Sequence, residues 1–283
     1  MTAGYRLLDG PVHAIYPCDA PARSEAFGDR AYPLDVARDA PVMGTRLPVV
    51  AISPGTGSTP WLFRHLAAAL ASAGYVALLV EHPGNRRGDD ALAGTAQNLA
   101  NRPRHVRAAV DAALADALLG PHVGDRAAVI GHSLGAYTAL AVVGGQPTAM
   151  PAETSGGLAG ERVPVDRDAR VVAAVLLMPA LFWFAPSGAL DGVHVPLMVR
   201  AGERDALVPP FAVDQILRGL PADTARDLAV VANAGHFSCC SPFPAALVSP
   251  AIPPSLDPPG FDRAAYLEVL HAEIVAFLRR WLG

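Results

Sequence analysis

Short runs of β-branched and aliphatic residues alternate with longer Ala- and Leu-rich segments along this chain. This alternation is typical of a largely parallel sheet, because each pair of parallel strands must be joined by a crossover segment. The pattern predicts six central parallel strands at 48–52, 75–80, 127–130, 171–178, 195–201 and 227–231. Two weaker runs, 12–16 and 32–37, predict an antiparallel edge pair. We therefore expect an α/β protein with a mostly parallel, twisted sheet of about eight strands.

Helical periodicity separates these strands. Apolar residues recur every three or four positions in 61–72, 103–119, 134–143, 210–220 and 261–282, which predicts helices on both faces of the sheet. Two segments lack this periodicity: 144–170 is rich in Gly, Pro and charge, and 239–259 is rich in Pro. We expect both to be irregular cap or rim loops, and residues 1–283 to form a single domain.

Composition excludes several classes of partner. With 52% hydrophobic and 17% charged residues, the chain can bury a large core. Its 22 basic residues, all arginine, are outnumbered by 26 acidic ones and form no basic run, so nucleic acid is not expected as a partner. The most apolar segment, 171–185, is too short for a membrane span and contains Pro179.

Cysteine usage and the amino terminus point to the same compartment. The three cysteines, two of them adjacent, provide neither a disulfide framework nor metal-ligand spacing, so we expect no metal. The first residues lack the apolar run of a signal peptide. The sequence predicts a cytoplasmic protein without a membrane span, and a homodimer is left open.

The motif Gly131-His132-Ser133-Leu134-Gly135 lies between a predicted strand and a predicted helix. In this context it predicts a nucleophile elbow, in which flanking glycines allow a tight turn and the serine takes a strained conformation. The turn would direct the hydroxyl of Ser133 away from the sheet, at the positive end of the helix dipole. The alternative is a glycine-rich turn that serves only packing.

A nucleophilic serine requires a base, and the base requires a carboxylate that holds its tautomer. Asp205 follows the predicted strand 195–201, and His236 follows the predicted strand 227–231. Ligands of open α/β sheets bind at the carboxyl ends of the strands. We therefore expect Ser133, His236 and Asp205 to form a catalytic triad, with Glu203 as the alternative acid.

Acyl transfer also requires N–H donors directed at the developing oxyanion. The N–H of Leu134, directly after the serine, is one candidate. The second is expected from the loop 53–58, where glycines allow the N–H of Thr56 to face Ser133. The alternative for this loop is an ordinary strand-to-helix turn.

Together these motifs resemble the α/β-hydrolase superfamily, and within it the bacterial dienelactone-hydrolase-like and platelet-activating-factor-acetylhydrolase-like serine esterases. The resemblance covers nearly the whole chain, through the segments 33–37, 39–42, 53–57, 81–84, 131–135, 202–205, 235–237 and 257–263. It implies the α/β-hydrolase fold. Two positions depart from the pattern: Pro54 stands where members usually have histidine, and no carboxylate follows Met178, where acetylhydrolases have their acid. The second departure leaves Asp205 as the acid.

Several side chains near these motifs are candidates for the substrate pocket: Trp61, His82, Phe182, Trp183 and Phe237. Core packing is the alternative for the aromatic residues at 182 and 183. No arginine is fixed by a motif to bind a charged group. The sequence thus predicts a cofactor-independent carboxylic ester hydrolase for a neutral, largely apolar small molecule. The same triad on a thioester, lactone or amide, or in acyl transfer, is the alternative; a non-catalytic binding module is the third reading.

Overall fold

Ten strands form one continuous sheet. They are β1 (Thr2–Leu8), β2 (Val12–Cys18), β3 (Arg23–Phe27), β4 (Tyr32–Arg38), β5 (Leu47–Ser53), β6 (Val76–Val80), β7 (Val123–His132), β8 (Val171–Leu177), β9 (Leu197–Gly202) and β10 (Arg226–Val231). Their order across the sheet is β10-β9-β8-β7-β5-β6-β2-β1-β4-β3. The computed structural model describes residues 2–10, 12–29, 31–154 and 160–283.

The six predicted central strands are confirmed as β5 to β10, and their pairings with one another are all parallel. The expected total of about eight strands is too low. The expected pairing of 12–16 with 32–37 is wrong, because β1 lies between these strands and pairs antiparallel with β2 and parallel with β4. The antiparallel pair of β2 with β6 joins this amino-terminal part to the parallel strands.

Helices cover both faces of the sheet, as expected. The helices α1 (Arg64–Ser72) and α5 (Arg263–Leu282) pack on one face. On the other face lie α2 (Ala96–Ala115), α3 (Leu134–Val142) and α4 (Pro210–Leu217). Because both faces are covered, a central strand such as β6 is buried along its whole length.

The helix expected to begin at Pro103 instead begins at Ala96, two turns earlier. Its cap is Thr95, whose hydroxyl accepts a hydrogen bond of 3.1 Å from the N–H of Asn98. Pro103 lies inside α2 and has no N–H for the carbonyl of Leu99. That carbonyl instead accepts a hydrogen bond of 3.2 Å from the hydroxyl of Tyr137 on α3. A neighbouring helix therefore supplies the donor that the proline lacks.

In their described residues, the two segments predicted to be irregular contain no α-helix and none of the strands β1 to β10. In 144–170 there is one 3₁₀ turn, Pro151–Glu153, and residues 155–159 lie outside the described residues. In 239–259 there are two such turns, Ala245–Leu247 and Pro253–Ser255. None of the helices in the described ranges is long and apolar enough to cross a membrane.

Candidate active site

Ser133 sits on a sharp turn between the end of β7 and the start of α3. Its backbone angles, φ 53° and ψ −120°, lie in a region that L-residues rarely adopt. Glycine is required on both sides of the turn: a Cβ on Gly131 would overlap the carbonyl of Gly135, and a Cβ on Gly135 would overlap the carbonyl of Ser53. The elbow geometry expected from the sequence is present.

Asp205 and His236 form a buried pair after strands β9 and β10. The Nδ1 atom of His236 lies 2.7 Å from Oδ2 of Asp205. The other carboxylate oxygen of Asp205 accepts hydrogen bonds of 2.9 and 2.8 Å from the N–H groups of Leu207 and Val208. The contact with an acceptor-only carboxylate assigns the imidazole proton to Nδ1, which leaves Nε2 free to act as a base.

The alternative acid has a different contact. The carboxylate of Glu203 accepts a hydrogen bond of 2.7 Å from the N–H of Asn233 and supports the turn that precedes His236. The imidazole is hydrogen-bonded to Asp205 and not to Glu203.

His132 connects His236 to the turn at Ser133. Its Nε2 atom lies 2.9 Å from the carbonyl oxygen of His236, and the two imidazole rings are 5.0 Å apart. This bond holds the backbone of His236 beside the turn at Ser133. The serine is half-buried, and its hydroxyl makes no hydrogen bond to any residue that the structure describes. The bond between nucleophile and base often tightens only in the substrate complex.

The loop after β5 closes on Ser133 from the other side. A Cβ on Gly55 would lie 3.2 Å from the Cβ of Ser133, so glycine permits this approach. Thr56 follows, and its hydroxyl accepts a hydrogen bond of 2.8 Å from Asn85. Leu134 is the first residue of α3, where backbone N–H groups have no carbonyl partner within the helix. The two expected oxyanion donors therefore lie in the two segments that flank Ser133.

Arg102 was not identified from the sequence as a site residue. It is fully buried on α2, with hydrogen bonds of 2.9 Å to the hydroxyl of Thr138, 2.8 Å to Oδ1 of Asn85 and 3.3 Å to the hydroxyl of Ser53, and a further one to the carbonyl of Pro54. Burial lowers the pKa of Arg102 to about 9. One sequence signal could have revealed it: it lies one turn before Val106 on the apolar stripe of α2.

His82 lies beneath the loop 53–58 and lines neither of the two cavities described below. It is buried, with Nε2 2.8 Å from the hydroxyl of Ser53 and Nδ1 3.2 Å from Nδ1 of His105. Burial lowers the pKa of His82 well below its ordinary value, so the ring is neutral. It supports the oxyanion loop from beneath.

The aromatic candidates separate into core and surface. Trp61 is a core residue, since it is buried and stacks on Phe27 with ring centroids 4.1 Å apart. Trp183 packs against Tyr137 of α3 and donates its indole N–H to Glu153. Phe182 is 39% exposed. It follows a loop in which the N–H of Ala180 donates to the carbonyl of Ser133, so it lies near the elbow.

A cavity of about 180 Å³ has Thr56 and the predicted pocket residue Phe237 in its wall. These residues follow Gly55 and His236 in the chain, whereas Ser133 and His236 do not themselves line the cavity. Its other lining side chains include Tyr32, Leu62, Arg87, Phe243 and Ile252. Arg87 was not expected there; it donates a hydrogen bond of 2.9 Å to the hydroxyl of Tyr32. A larger cleft of about 470 Å³ between α5 and the strands β9 and β10 contains none of the predicted site residues.

One set of side chains has the composition of a metal site. Ligand atoms of His132, Cys239 and Cys240 lie within 4.8 Å of one another, and Nδ1 of His132 is buried without a hydrogen-bond partner. Burial raises the pKa of the Cys239 thiol well above its ordinary value, so this thiol carries its proton in the absence of a metal ion. The expectation that the protein binds no metal stays a prediction.

Comparison with known proteins supports the fold. No protein-family model matches the chain, and no curated protein matches it in sequence. Its structure is similar to that of a ferulic acid esterase from Streptomyces cinnamoneus, with a TM-score of 0.66 and 21% sequence identity over 95% of this chain and 82% of that chain. The chain thus shares the α/β fold of this neighbour.

Proposed function

We propose that this protein is a serine hydrolase that cleaves carboxylic esters through an acyl-enzyme on Ser133, within the dienelactone-hydrolase-like and acetylhydrolase-like esterases. The observation that carries the proposal is the buried Asp205–His236 pair, with a contact of 2.7 Å, fastened beside a serine with φ 53°. The structural neighbour is a ferulic acid esterase, which agrees with ester chemistry.

The proposed reaction proceeds in two displacements. His236 Nε2 takes the hydroxyl proton of Ser133 as Oγ forms a bond to the ester carbonyl carbon. The oxyanion accepts hydrogen bonds from the N–H groups of Leu134 and Thr56. The carbon–oxygen bond then breaks, and His236 protonates the departing alcohol. Water attacks the acyl carbon, its proton passes to His236, and the proton returns to Ser133 as the acid leaves. Asp205 stays ionised throughout and stabilises the imidazolium.

The cavity lined by Thr56 and Phe237 suggests the size and polarity of the substrate. A volume of about 180 Å³ resembles cavities of roughly 150 Å³ that hold a benzene ring. Its wall is mainly apolar, and Arg87 is the one charged residue among those described around it. A neutral ester with one ring-sized or short-chain group fits this space. Phe237 and the exposed Phe182 are proposed to contact that group.

Substitution of the proposed nucleophile and base tests the assignment. Ser133→Ala and His236→Ala should each reduce turnover on short-chain aryl esters by about 10⁵- to 10⁶-fold, because the members of a triad act as a unit. The controls are Ser24→Ala and His194→Ala, which remove a hydroxyl from β3 and a 54% exposed imidazole. These should retain wild-type turnover. A Ser133→Ala enzyme with a tenth of the wild-type rate would refute the proposal.

Labelling and substrate comparison separate the alternatives. A fluorophosphonate should form an adduct on Ser133 in the folded wild-type protein; its failure to react would favour a binding module. Rates on matched ester, thioester, lactone and amide substrates should be highest for the ester. Faster turnover of one of the others would reassign the substrate class, and a preference for fully anionic esters would contradict the neutral substrate.

A further inference from the structure

Arg102 lies where the three segments behind the elbow meet. It belongs to α2, and its guanidinium bonds to Thr138 on α3, to Asn85 in the loop after β6, and to Ser53 and Pro54 at the start of the oxyanion loop. We propose that Arg102 is a positioning residue that holds the oxyanion loop in its catalytic geometry. This inference rests on the proposed function and deepens it.

The contact with Pro54 controls the direction of a peptide group. A trans peptide is planar, with its C=O and N–H pointing in opposite directions. A hydrogen bond that draws the Pro54 carbonyl toward Arg102 therefore directs the N–H of Gly55 away from Arg102. The same hydrogen bond fixes the orientation of the Pro54–Gly55 peptide plane, and this orientation sets the path of Gly55 and Thr56 past Ser133.

A second connection fixes the far side of the loop. Asn85 accepts from Arg102 at 2.8 Å and donates to the hydroxyl of Thr56 at 2.8 Å. Asn98 holds the same amide through a bond of 3.1 Å to its Oδ1. The side chain of Asn85 thus links Arg102 to Thr56, the residue that carries the proposed N–H donor. Pro54, which lacks an N–H of its own, is held only through its carbonyl.

The charge of Arg102 adds to this role. No carboxylate lies within 4 Å of its guanidinium among the residues described, and the nearby His82 is neutral. A buried cation without a counter-ion is costly in the resting protein, because it has lost its hydration. The negative charge that develops near Ser133 during acylation is absent from the ground state. The attraction of Arg102 to this charge therefore favours the transition state over bound substrate.

Arg64 provides a matched control. It is also a buried arginine that binds backbone carbonyls, those of Pro33, Trp61 and Pro242, but none of these belongs to the oxyanion loop. Arg102→Met and Arg64→Met remove the same kind of group from similar surroundings. Both should lower the urea midpoint, whereas only Arg102→Met should impair the chemical step.

The experiment measures kcat and KM on a neutral aryl ester together with inhibitor affinities. Loss of one oxyanion donor typically lowers kcat by about 10²- to 10³-fold, and we expect Arg102→Met to fall in this range, with KM changed by less than about threefold. Arg102→Lys keeps the charge and should recover part of the loss. Phenylboronic acid, which forms an anionic tetrahedral adduct on serine, should lose affinity in proportion to kcat/KM, whereas benzyl alcohol should not.

Two results would overturn the inference. One is a kcat for Arg102→Met within threefold of that for Arg64→Met. The other is an equal loss of affinity for phenylboronic acid and benzyl alcohol, which would indicate a general structural defect. If Arg102→Met does not fold, Arg102→Lys and Asn85→Ala replace it, and wild-type kcat in both would reject the role. A wild-type protein that cleaves no ester and takes no fluorophosphonate label would instead defeat the proposed function.

Discussion

At the scale of single residues, the Asp205 carboxylate is placed to hold one tautomer of His236. Its two oxygens have different partners. One lies 2.7 Å from Nδ1 of the imidazole, and the other accepts hydrogen bonds from two backbone N–H groups. The second set of bonds fixes the carboxylate before any substrate arrives. The ring is thereby held with Nε2 free.

Asp205→Asn should keep this shape and lose the activity. The amide can still contact Nδ1, but as a donor it would favour the tautomer that has its proton on Nε2, which cannot accept the serine proton. We expect turnover to fall by about 10⁴-fold, as in other triads, with the urea midpoint nearly unchanged. Glu203→Gln, the matched control on the same turn, should retain turnover within about threefold. The reverse ranking of the two variants would make Glu203 the acid.

The triad candidates could be predicted because each follows a strand, and parallel strands bring their carboxyl ends to one edge of the sheet. The same logic predicted His82 and Trp61 as pocket residues, but the structure buries both side chains. Both are at the expected edge, but one ring bonds to Ser53 beneath the loop and the other stacks on Phe27 of β3. The direction of a side chain beyond a strand end depends on tertiary neighbours, which the local sequence does not contain.

At the scale of elements, α3 supplies a hydrogen-bond donor that α2 lacks. The N–H missing at Pro103 leaves the carbonyl of Leu99 without its helical donor, and the hydroxyl of Tyr137 takes that place at 3.2 Å. The chain alone indicated a helix start at Pro103, because proline favours the first turn. The cap at Thr95 and the distant tyrosine extend the helix by two turns.

A double-mutant cycle measures this substitution of donors. Tyr137→Phe should lower the free energy of unfolding by about 1 to 3 kcal/mol, because it leaves a buried carbonyl unpaired. In a Pro103→Ala background the alanine N–H can donate to the Leu99 carbonyl. Tyr137→Phe should then lower the free energy of unfolding by a smaller amount. Urea denaturation of the four proteins gives the coupling energy. Equal costs in both backgrounds would show that the hydroxyl does not replace the missing donor.

The amino-terminal strands were the hardest elements to predict. β1 contains Gly4 and Arg6, and β3 is polar and largely exposed, so neither shows the buried, β-branched pattern of a central strand. Each becomes a strand through pairing: β1 inserts between β2 and β4, and β3 pairs only with β4. Local composition does not reveal pairing between segments distant in sequence, whereas it does reveal the buried apolar runs of β5 to β9.

At the scale of the whole molecule, five of the histidines have a lowered pKa: His82 and His132 are buried, and the other three are half-buried. Burial lowers the pKa of His65, His105 and His271 to about 4 and that of His132 to about 3, and the pKa of His82 is lower than its ordinary value as well. In the unfolded chain these groups titrate near pH 6.5. Between about pH 4 and pH 6.5 the unfolded state therefore binds protons that the folded state does not.

The sign of the resulting pH dependence follows from linkage. Stability rises with pH wherever the unfolded state binds more protons, so the contribution of these histidines is fully present above about pH 6.5 and is lost as the pH falls toward 4. Urea denaturation between pH 5 and 7 should show this slope. His271→Gln on α5 removes one group that becomes charged only on unfolding. It should therefore lower the number of protons taken up on unfolding, and hence the slope, by up to about one proton. His194→Gln, which replaces a 54% exposed imidazole, should leave the slope unchanged. Equal slopes for His271→Gln and the wild type would show that His271 binds protons equally in the folded and unfolded states, which contradicts a lowered pKa.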